Sequence, residues 1–293
     1  MNLSNATSLK FAIPNKGRLH EPTVALLKRA GYSFRMKDRA LYASCTNADI
    51  IFIFVRAEDI PVLVASSAVD IGITGQDLVI EKKAAASELL ALDFGKCRLC
   101  VAVPGSASHD SVTELAGAMI ATSFPGITSD YFTKQHVPVT CLEMNGSIEI
   151  TVALGIADAI VDIVETGDSL KENNLRIFKE IGSYQTVLIA SPKRVMDERV
   201  QMVKRRIEGI LIANSYSILE YNIPSARLKD AEKITPGFES PTVAELDEPG
   251  WLAVKVMVEK NRIADAMDKL EALGATGLFE TEIKNCRLGK SKN

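Results

Sequence analysis

Residues 49–55 read Asp-Ile-Ile-Phe-Ile-Phe-Val, an apolar run whose one charged residue stands at its start. A strand without polar positions is expected where a sheet is covered on both faces, as in α/β proteins. The neighbouring sequence continues this alternation of short apolar strands and helical segments: predicted strands at residues 9–13 and 69–74, and predicted helices at residues 21–30, 60–65 and from residue 76. This order predicts a largely parallel sheet with helices on both sides.

A second α/β unit follows in the middle of the chain. Its predicted strands and helices are residues 119–122, 139–142 and 159–164, and residues 127–135 and 148–154, respectively. The apolar strand at residues 187–190 returns the chain to the first unit, which makes that unit discontinuous. We therefore predict two lobes, the first of residues 1–105 and 185–215 and the second of residues 106–184.

The order of elements changes from residue 216 onward. Strands and helices are predicted there in the order β-α-β-β-α-β, which is the split ferredoxin-like unit. Residues 216–293 are long enough to form a small domain of their own.

Composition limits the classes of function. The chain has 293 residues, a net charge of -3 and 24% charged residues, which argues against a broad nucleic-acid-binding surface. No apolar run approaches the roughly 18–20 residues of a membrane helix, and the first ten residues do not resemble a signal peptide. Five scattered cysteines favour a reducing compartment, so we expect a cytoplasmic protein. The pair Cys97 and Cys100 is predicted to consist of buried thiols, although a metal or redox site is the alternative.

The strongest chemical signal is the run DAIVDIVETGDSL at residues 158–170. A buried strand there leads through Asp162 and Glu165 into the loop Thr166, Gly167, Asp168 and Ser169. Glycine lets the backbone approach a ligand, and consecutive amides at a helix start can bind an anion. The hydroxyls and amides of the loop suit a phosphate monoester, and the carboxylates suit sugar hydroxyls. The alternative is a simple capped helix start.

Three cations follow predicted strands. Lys16 and Arg18 lie in a glycine-containing turn after the first strand, and Arg56 lies at the end of another. Open α/β sheets bind ligands at the carboxyl ends of their strands, so these side chains are candidates for binding an anionic group. The alternative for each is a solvated surface charge.

The stretch EITVALGIADAIVDIVETGDSL at residues 149–170 resembles the signature of the ATP phosphoribosyltransferase family. Ser169 stands where that family usually has threonine, but either residue supplies a hydroxyl. The resemblance extends over nearly the whole chain through separate motifs in one order: PNKGR at residues 14–18, RAEDI at 56–60, VDIGITG at 69–75, DFG at 93–95 and IATS at 120–123.

The resemblance implies an enzyme that transfers the phosphoribosyl group of phosphoribosyl pyrophosphate to the adenine ring of ATP, the first step of histidine biosynthesis. It implies a two-lobed catalytic part with the periplasmic-binding-protein-like fold, and Mg²⁺ bound mainly through the pyrophosphate and phosphates. The implied catalytic residues are Lys16, Arg18, Arg56 and Asp162. Phosphoribosyl pyrophosphate would be bound by Asp162, Glu165, Thr166, Gly167, Asp168 and Ser169, and the nucleotide by Asp70 and Thr74.

The run PGFESPT at residues 236–242 also resembles the family's long form, whose ferredoxin-like domain binds histidine as a feedback inhibitor. By that resemblance the effector lies near Asn222, Thr242, Met257 and Gly277. Asn222 stands where some relatives carry an acid. The family further implies dimers as the catalytic unit and hexamers as the regulated form.

Two other functional hypotheses are compatible with the fold. A two-lobed binding module has the same architecture, and fold alone cannot separate it from an enzyme. A phosphoribosyltransferase for another base would share the sugar-binding loop and differ only in the acceptor pocket. Measuring transfer from phosphoribosyl pyrophosphate to each candidate acceptor distinguishes these hypotheses.

Overall fold

The computed structural model describes residues 7–36, 40–164 and 167–288. Its fifteen strands are β1 Leu9–Pro14, β2 Tyr42–Ser44, β3 Ile50–Val55, β4 Ile71–Gly75, β5 Ser87–Ala91, β6 Cys97–Pro104, β7 Met119–Thr122, β8 Thr140–Glu143, β9 Ala159–Val164, β10 Leu175–Tyr184, β11 Thr186–Ala190, β12 Tyr216–Pro224, β13 Thr242–Glu245, β14 Trp251–Glu259 and β15 Thr276–Glu282.

The α-helices of the described residues are α1 His20–Arg29, α2 Ile60–Ala65, α3 Gln76–Glu81, α4 Pro125–Lys134, α5 Glu149–Ala153, α6 Asp168–Glu172, α7 Glu198–Ser215, α8 Leu228–Ile234 and α9 Ile263–Ala272. These residues form two compact units, one of residues 7–25 and 32–204 and the other of residues 26–31 and 205–288.

The first unit contains two sheets. The six-stranded sheet has the order β2-β3-β1-β4-β11-β5, and the five-stranded sheet has the order β10-β6-β9-β7-β8. The chain crosses from the first sheet to the second between β5 and β6, and it returns between β10 and β11. This is the two-lobed, periplasmic-binding-protein-like architecture that the sequence predicts. We call the lobes of the six- and five-stranded sheets lobe I and lobe II.

The prediction of a largely parallel first sheet is confirmed for β1, β3 and β4 only, and the complete sheet is mixed. Strand β1 pairs in parallel with β3 and β4, but β11 runs antiparallel to both β4 and β5. Strand β2 is also antiparallel to its neighbour β3. The returning strand enters the sheet from the other lobe, so no crossover helix forces it to run parallel.

Strand pairing also corrects one predicted lobe limit. Strand β6 pairs with β9 and β10 in lobe II, so a limit after residue 105 assigns this strand to the wrong sheet. The other predicted limits stay predictions. Strand β10 was not predicted, because its apolar positions do not alternate regularly. Two register shifts along its pairing with β6 account for that irregularity.

The second unit contains a four-stranded antiparallel sheet with the order β13-β14-β12-β15. With α8 and α9 this gives the predicted β-α-β-β-α-β order. Alternate residues of β12, among them Leu219, Tyr221 and Ile223, are buried in one apolar cluster with residues of both helices.

Candidate active site

A cleft with a cavity of about 620 Å³ lies in the first unit and is lined by residues of both lobes. It opens where parallel strands of each sheet end, the usual ligand site of α/β sheets. The lining includes Lys16 and Arg18 after β1, Arg56 after β3, Asp77 and Leu78 in α3, Ser123 and Phe124 after β7, and Asp162 in β9. The structure thus brings the predicted catalytic residues Lys16, Arg18, Arg56 and Asp162 to one cavity.

The predicted phosphoribosyl loop borders a second cavity of about 230 Å³, which we call the loop cavity. Gly167 has a φ angle of 87°, a left-handed conformation that favours glycine, and α6 begins at the next residue. The Ser169 hydroxyl donates to Glu149 Oε1 at 2.7 Å, which ties the start of α6 to α5. Asp162 lines both this cavity and the cleft. Glu165 and Thr166 lie outside the described residues.

Asp162 is the carboxylate between the two cavities. Its Oδ1 atom accepts a hydrogen bond from the backbone amide of Ile163 at 2.8 Å. Burial raises the pKa of Asp162 to about 6; the Ile163 amide opposes this shift, and the charge of Glu149 adds to it. Asp162 therefore changes charge close to neutral pH.

The cations of the cleft differ in their surroundings. Arg56 is exposed and lies 3.3 Å from Glu58 Oε1. Arg18 donates to the Gly95 carbonyl at 3.1 Å and to Cys97 Sγ at 3.2 Å. Arg18 also lines a neighbouring cavity of about 520 Å³, together with Gly95, Lys96, Cys97, Arg98, Val164 and Ser183. Among the described residues, the lining of this cavity contains three basic side chains and no acidic one, so it suits an anion.

Asp77 was missed by the sequence reasoning. Its side chain is 2% exposed, and neither carboxylate oxygen has a hydrogen-bond partner among the described residues. The amides of Asp77 and Leu78 lie near enough to favour its charge but do not meet hydrogen-bond geometry. Burial raises its pKa, and the guanidinium of Arg18 opposes the shift. A Cβ atom at Gly75 would collide with this carboxylate, so glycine at that position leaves room for the buried Asp77 side chain.

The two predicted nucleotide contacts do not present side chains to the cleft. Asp70 lies at the amino end of β4, where it accepts from the Lys10 amide at 2.8 Å and pairs with Arg194 Nε at 2.9 Å. The structure therefore does not bring Asp70 to the cleft, because the cleft lies at the other end of that strand. Thr74 is fully buried and donates to the Ala57 carbonyl at 2.7 Å. It fixes the loop that follows β3.

The four predicted effector residues form two pairs in the second unit. Thr242 and Met257 line one cavity of about 340 Å³. Asn222 lies beside Gly277, where a Cβ atom would be 3.3 Å from Asn222 Nδ2. Met257 pairs with Ile218, four residues before Asn222 on β12, so Met257 and Asn222 are separated along this strand by about 13 Å.

The remaining sequence expectations concern metals, cysteines and membranes. The described residues contain no group of three or more histidine, cysteine or acidic side chains placed to hold a metal ion. Cys97 and Cys100 are buried, and none of the five cysteines, all of which are described, forms a disulfide. No described helix has both the length and the apolar character needed to cross a membrane.

Comparison with known proteins identifies the family. The family profile of ATP phosphoribosyltransferase matches residues 56–209, and that of the HisG C-terminal domain matches residues 213–285. The ATP phosphoribosyltransferase of Rhodopirellula baltica is 45% identical over 280 residues, which cover 96% of this chain and 94% of that protein. The enzyme of the same name from Yarrowia lipolytica is 40% identical over 286 residues, covering 96% of this chain and 97% of the relative.

A solved structure agrees with these matches. The ATP phosphoribosyl transferase (HisG:HisZ) complex from Thermotoga maritima contains a chain that superposes with a TM-score of 0.60 at 30% identity. The superposition covers 68% of this chain and 98% of that one. The chain described here belongs to the ATP phosphoribosyltransferase family.

Proposed function

We propose that this chain transfers the phosphoribosyl group of phosphoribosyl pyrophosphate to N1 of the adenine ring of ATP, in the first step of histidine biosynthesis. A bond forms between adenine N1 and the anomeric carbon C1′, and the bond from C1′ to the pyrophosphate oxygen breaks. Pyrophosphate leaves with the electron pair. The observation that carries the proposal is the position of Asp162, which lines both the loop cavity and the two-lobed cleft.

The loop cavity suits the phosphoribosyl group. The left-handed backbone at Gly167 leads into the start of α6, where backbone amides and the Ser169 hydroxyl can bind the 5-phosphate. Asp162 at the join with the cleft can accept hydrogen bonds from the ribose hydroxyls. Together these groups would hold C1′ at the boundary of the two cavities, where it meets the acceptor.

The basic side chains suit the leaving group. Negative charge develops on the pyrophosphate as its bond to C1′ breaks, and fixed cations lower the energy of that state. Lys16, Arg18 and Arg56 line the same cavity as Asp162. We further propose that Mg²⁺ is bound mainly through the phosphate oxygens, where it would share this charge.

The acceptor is proposed to lie in the cleft beside Asp77, with Leu78 and Phe124 as apolar walls. The adenine N1 atom attacks through a lone pair and carries no proton, so the reaction requires no general base. Bond formation at N1 places positive charge on the ring and its 6-amino group. A buried carboxylate that can accept from this amino group stabilises that charge and selects adenine.

Feedback inhibition by histidine is proposed for the second unit, through the cavity lined by Thr242 and Met257 or the neighbouring site of Asn222 and Gly277. An effector there acts by favouring one arrangement of domains or subunits over another. We also propose that the chain acts in the cytoplasm as a homo-oligomer, with dimers as the catalytic unit and hexamers as the regulated form.

The test is pyrophosphate release from phosphoribosyl pyrophosphate and Mg²⁺ with a panel of acceptors. ATP should support release, whereas GTP should not, because GTP has the same triphosphate but a protonated N1 and no 6-amino group. Release with a free base and not with ATP would replace this proposal with a phosphoribosyltransferase for that base. Binding of both substrates without turnover would favour a binding module.

A further inference from the structure

Helix α4 in lobe II has no N-terminal cap of its own. Its N-cap residue is Phe124, which has no side-chain acceptor, and Pro125 follows as the first helical residue. The next two amides donate to one carboxylate from lobe I: Gly126 to Glu81 Oε1 at 2.8 Å, and Ile127 to Glu81 Oε2 at 2.9 Å. Glu81 thus supplies the capping acceptor that the sequence of α4 lacks.

The surroundings show that this contact joins the two lobes. Glu81 is the last residue of α3, which follows β4 of the lobe I sheet, whereas α4 follows β7 of the lobe II sheet. Leu78 of α3 packs against the lobe II core cluster that contains Phe124. A Cβ atom at position 126 would lie 3.1 Å from both Glu81 carboxylate oxygens, so glycine allows the close approach.

The capped segment also forms part of the cleft. Ser123 and Phe124, which directly precede α4, line the same cavity as Asp77 and Leu78 of α3. The cap therefore fixes one wall of the cleft, contributed by lobe II, relative to the opposite wall, contributed by lobe I. Its carboxylate also complements the partial positive charge at the start of α4.

We propose that Glu81 is a positioning residue for the transfer reaction: its carboxylate caps α4 from the neighbouring lobe and holds Ser123 and Phe124 in place for the acceptor nucleotide. This inference rests on the proposed function for its kinetic consequence, but its structural premise can be tested without activity. Loss of the cap should weaken ATP binding more than phosphoribosyl pyrophosphate binding, because Ser123 and Phe124 line the cleft but not the loop cavity.

The first experiment measures hydrogen exchange in the full-length protein. Glu81→Gln keeps the size of the side chain but leaves a single acceptor oxygen, and Glu81→Ala removes both. Asp130→Asn is the matched control, because it breaks the exposed 3.7 Å ion pair with Lys83 between the same segments. The amides of Gly126 and Ile127 should exchange faster in both Glu81 variants and not in the control. Unchanged exchange in the Glu81 variants would overturn the proposal.

The second experiment separates positioning from simple stabilisation. At a temperature where circular dichroism shows each variant folded, kcat/KM for ATP in Glu81→Ala should fall about ten-fold, the size of one charge-assisted hydrogen bond. The change for phosphoribosyl pyrophosphate should be smaller, and Asp130→Asn should stay within about two-fold of wild type. A lower melting temperature with unchanged kcat/KM would make the cap purely structural and overturn the proposal.

Two further measurements apply if Glu81→Ala does not fold or if the wild-type protein is inactive. If Glu81→Ala does not fold, Glu81→Gln decides with the same expected direction. If the wild-type protein shows no transfer activity, the proposed function fails, and calorimetric titration with ATP then tests the cap alone. Weaker ATP binding in Glu81→Gln than in wild type supports the positioning role, and equal binding contradicts it.

Discussion

The Nη2 atom of Arg18 lies 3.9 Å from Oδ2 of Asp77, a carboxylate that has almost no contact with solvent. The same guanidinium donates to the Gly95 carbonyl and to Cys97 Sγ. The charge of Arg18 therefore lowers the free-energy cost of burying the Asp77 carboxylate. Neither carboxylate oxygen of Asp77 has a hydrogen-bond partner among the described residues. A buried carboxylate without hydrogen-bond partners destabilises the folded protein. Such destabilising groups are common at sites where function requires them.

Asp77→Asn should lower activity and raise stability at neutral pH. The amide keeps the size of the side chain but cannot stabilise positive charge on adenine, so kcat/KM for ATP should fall about ten- to a hundred-fold. Steady-state kinetics and thermal melts measure the two effects. Asp268→Asn, which alters an exposed carboxylate of α9, is the control and should change neither quantity by much. A destabilised but fully active Asp77→Asn protein would contradict the assignment.

The pH dependence of Asp77 has a definite sign. Because its folded-state pKa is raised, the native protein binds this proton more tightly than the unfolded chain does. Stability therefore falls as the pH rises through the folded pKa of Asp77. The difference in stability between Asp77→Asn and wild type should grow as the pH rises from acid to neutral. A stability difference that shrinks over that pH range would show that burial is not the main influence on the pKa of Asp77.

Asp162 should set an acidic limit to activity. Its pKa is raised to about 6, so kcat/KM for phosphoribosyl pyrophosphate should decline below that pH as the carboxylate is protonated. The contribution of Asp162 to stability has the opposite trend and is lost as the pH rises from its usual 3.8 through about 6. Asp162→Asn should lose about ten- to a hundred-fold in turnover, and its kcat/KM should not show this decline at acidic pH. Turnover within two-fold of wild type would remove Asp162 from the site.

Gly167→Val should weaken phosphoribosyl pyrophosphate binding far more than ATP binding. Gly167 has a φ angle of 87°, and a branched side chain there would both strain the backbone and cover the amides at the start of α6 that we propose bind the phosphate. Gly117→Val is the matched control, since Gly117 has a similar φ angle of 82° and lies outside the lining of either cavity. Calorimetry with each substrate distinguishes the cases. Equal losses for both substrates in Gly167→Val would indicate general damage.

Histidine inhibition should depend on the second unit. Thr242→Val removes one hydroxyl from the cavity that contains Met257, so the inhibitory concentration should rise roughly three- to ten-fold with little change in uninhibited activity. Ser225→Ala, outside that cavity, serves as the control. Trp251 begins β14 of the same sheet, and its fluorescence should report histidine binding to wild type. Normal inhibition in Thr242→Val together with weak inhibition in Asn222→Ala would move the effector to the other pair.

Local patterns predicted most of the elements and the residues at the cleft, because strand ends, glycines and cations follow one another within short stretches. Lys16, Arg56 and Asp162 are recognisable for this reason. Asp70 and Asp77 show the limit of the approach. Both flank β4, and only the direction of the strand relative to the cleft decides which carboxylate lines the cleft.

Contacts between distant segments could not be predicted. Glu81 has no feature in its own helix that marks it as a cap for α4, since its partners Gly126 and Ile127 lie in the other lobe. The antiparallel return of β11 and the register shifts of β10 likewise depend on tertiary pairing. The separation of Asn222 from Met257 follows from strand register, which the sequence motif does not encode.

Identification of the reaction product is the direct test of phosphoribosyl transfer to ATP. The full-length protein would be incubated with phosphoribosyl pyrophosphate, ATP and Mg²⁺, and the product would be analysed by mass spectrometry and nuclear magnetic resonance. We expect a single adduct in which C1′ of the phosphoribosyl group is bonded to adenine N1, formed in equal amount with pyrophosphate. Attachment at another atom of ATP, or hydrolysis of phosphoribosyl pyrophosphate without any adduct, would contradict it.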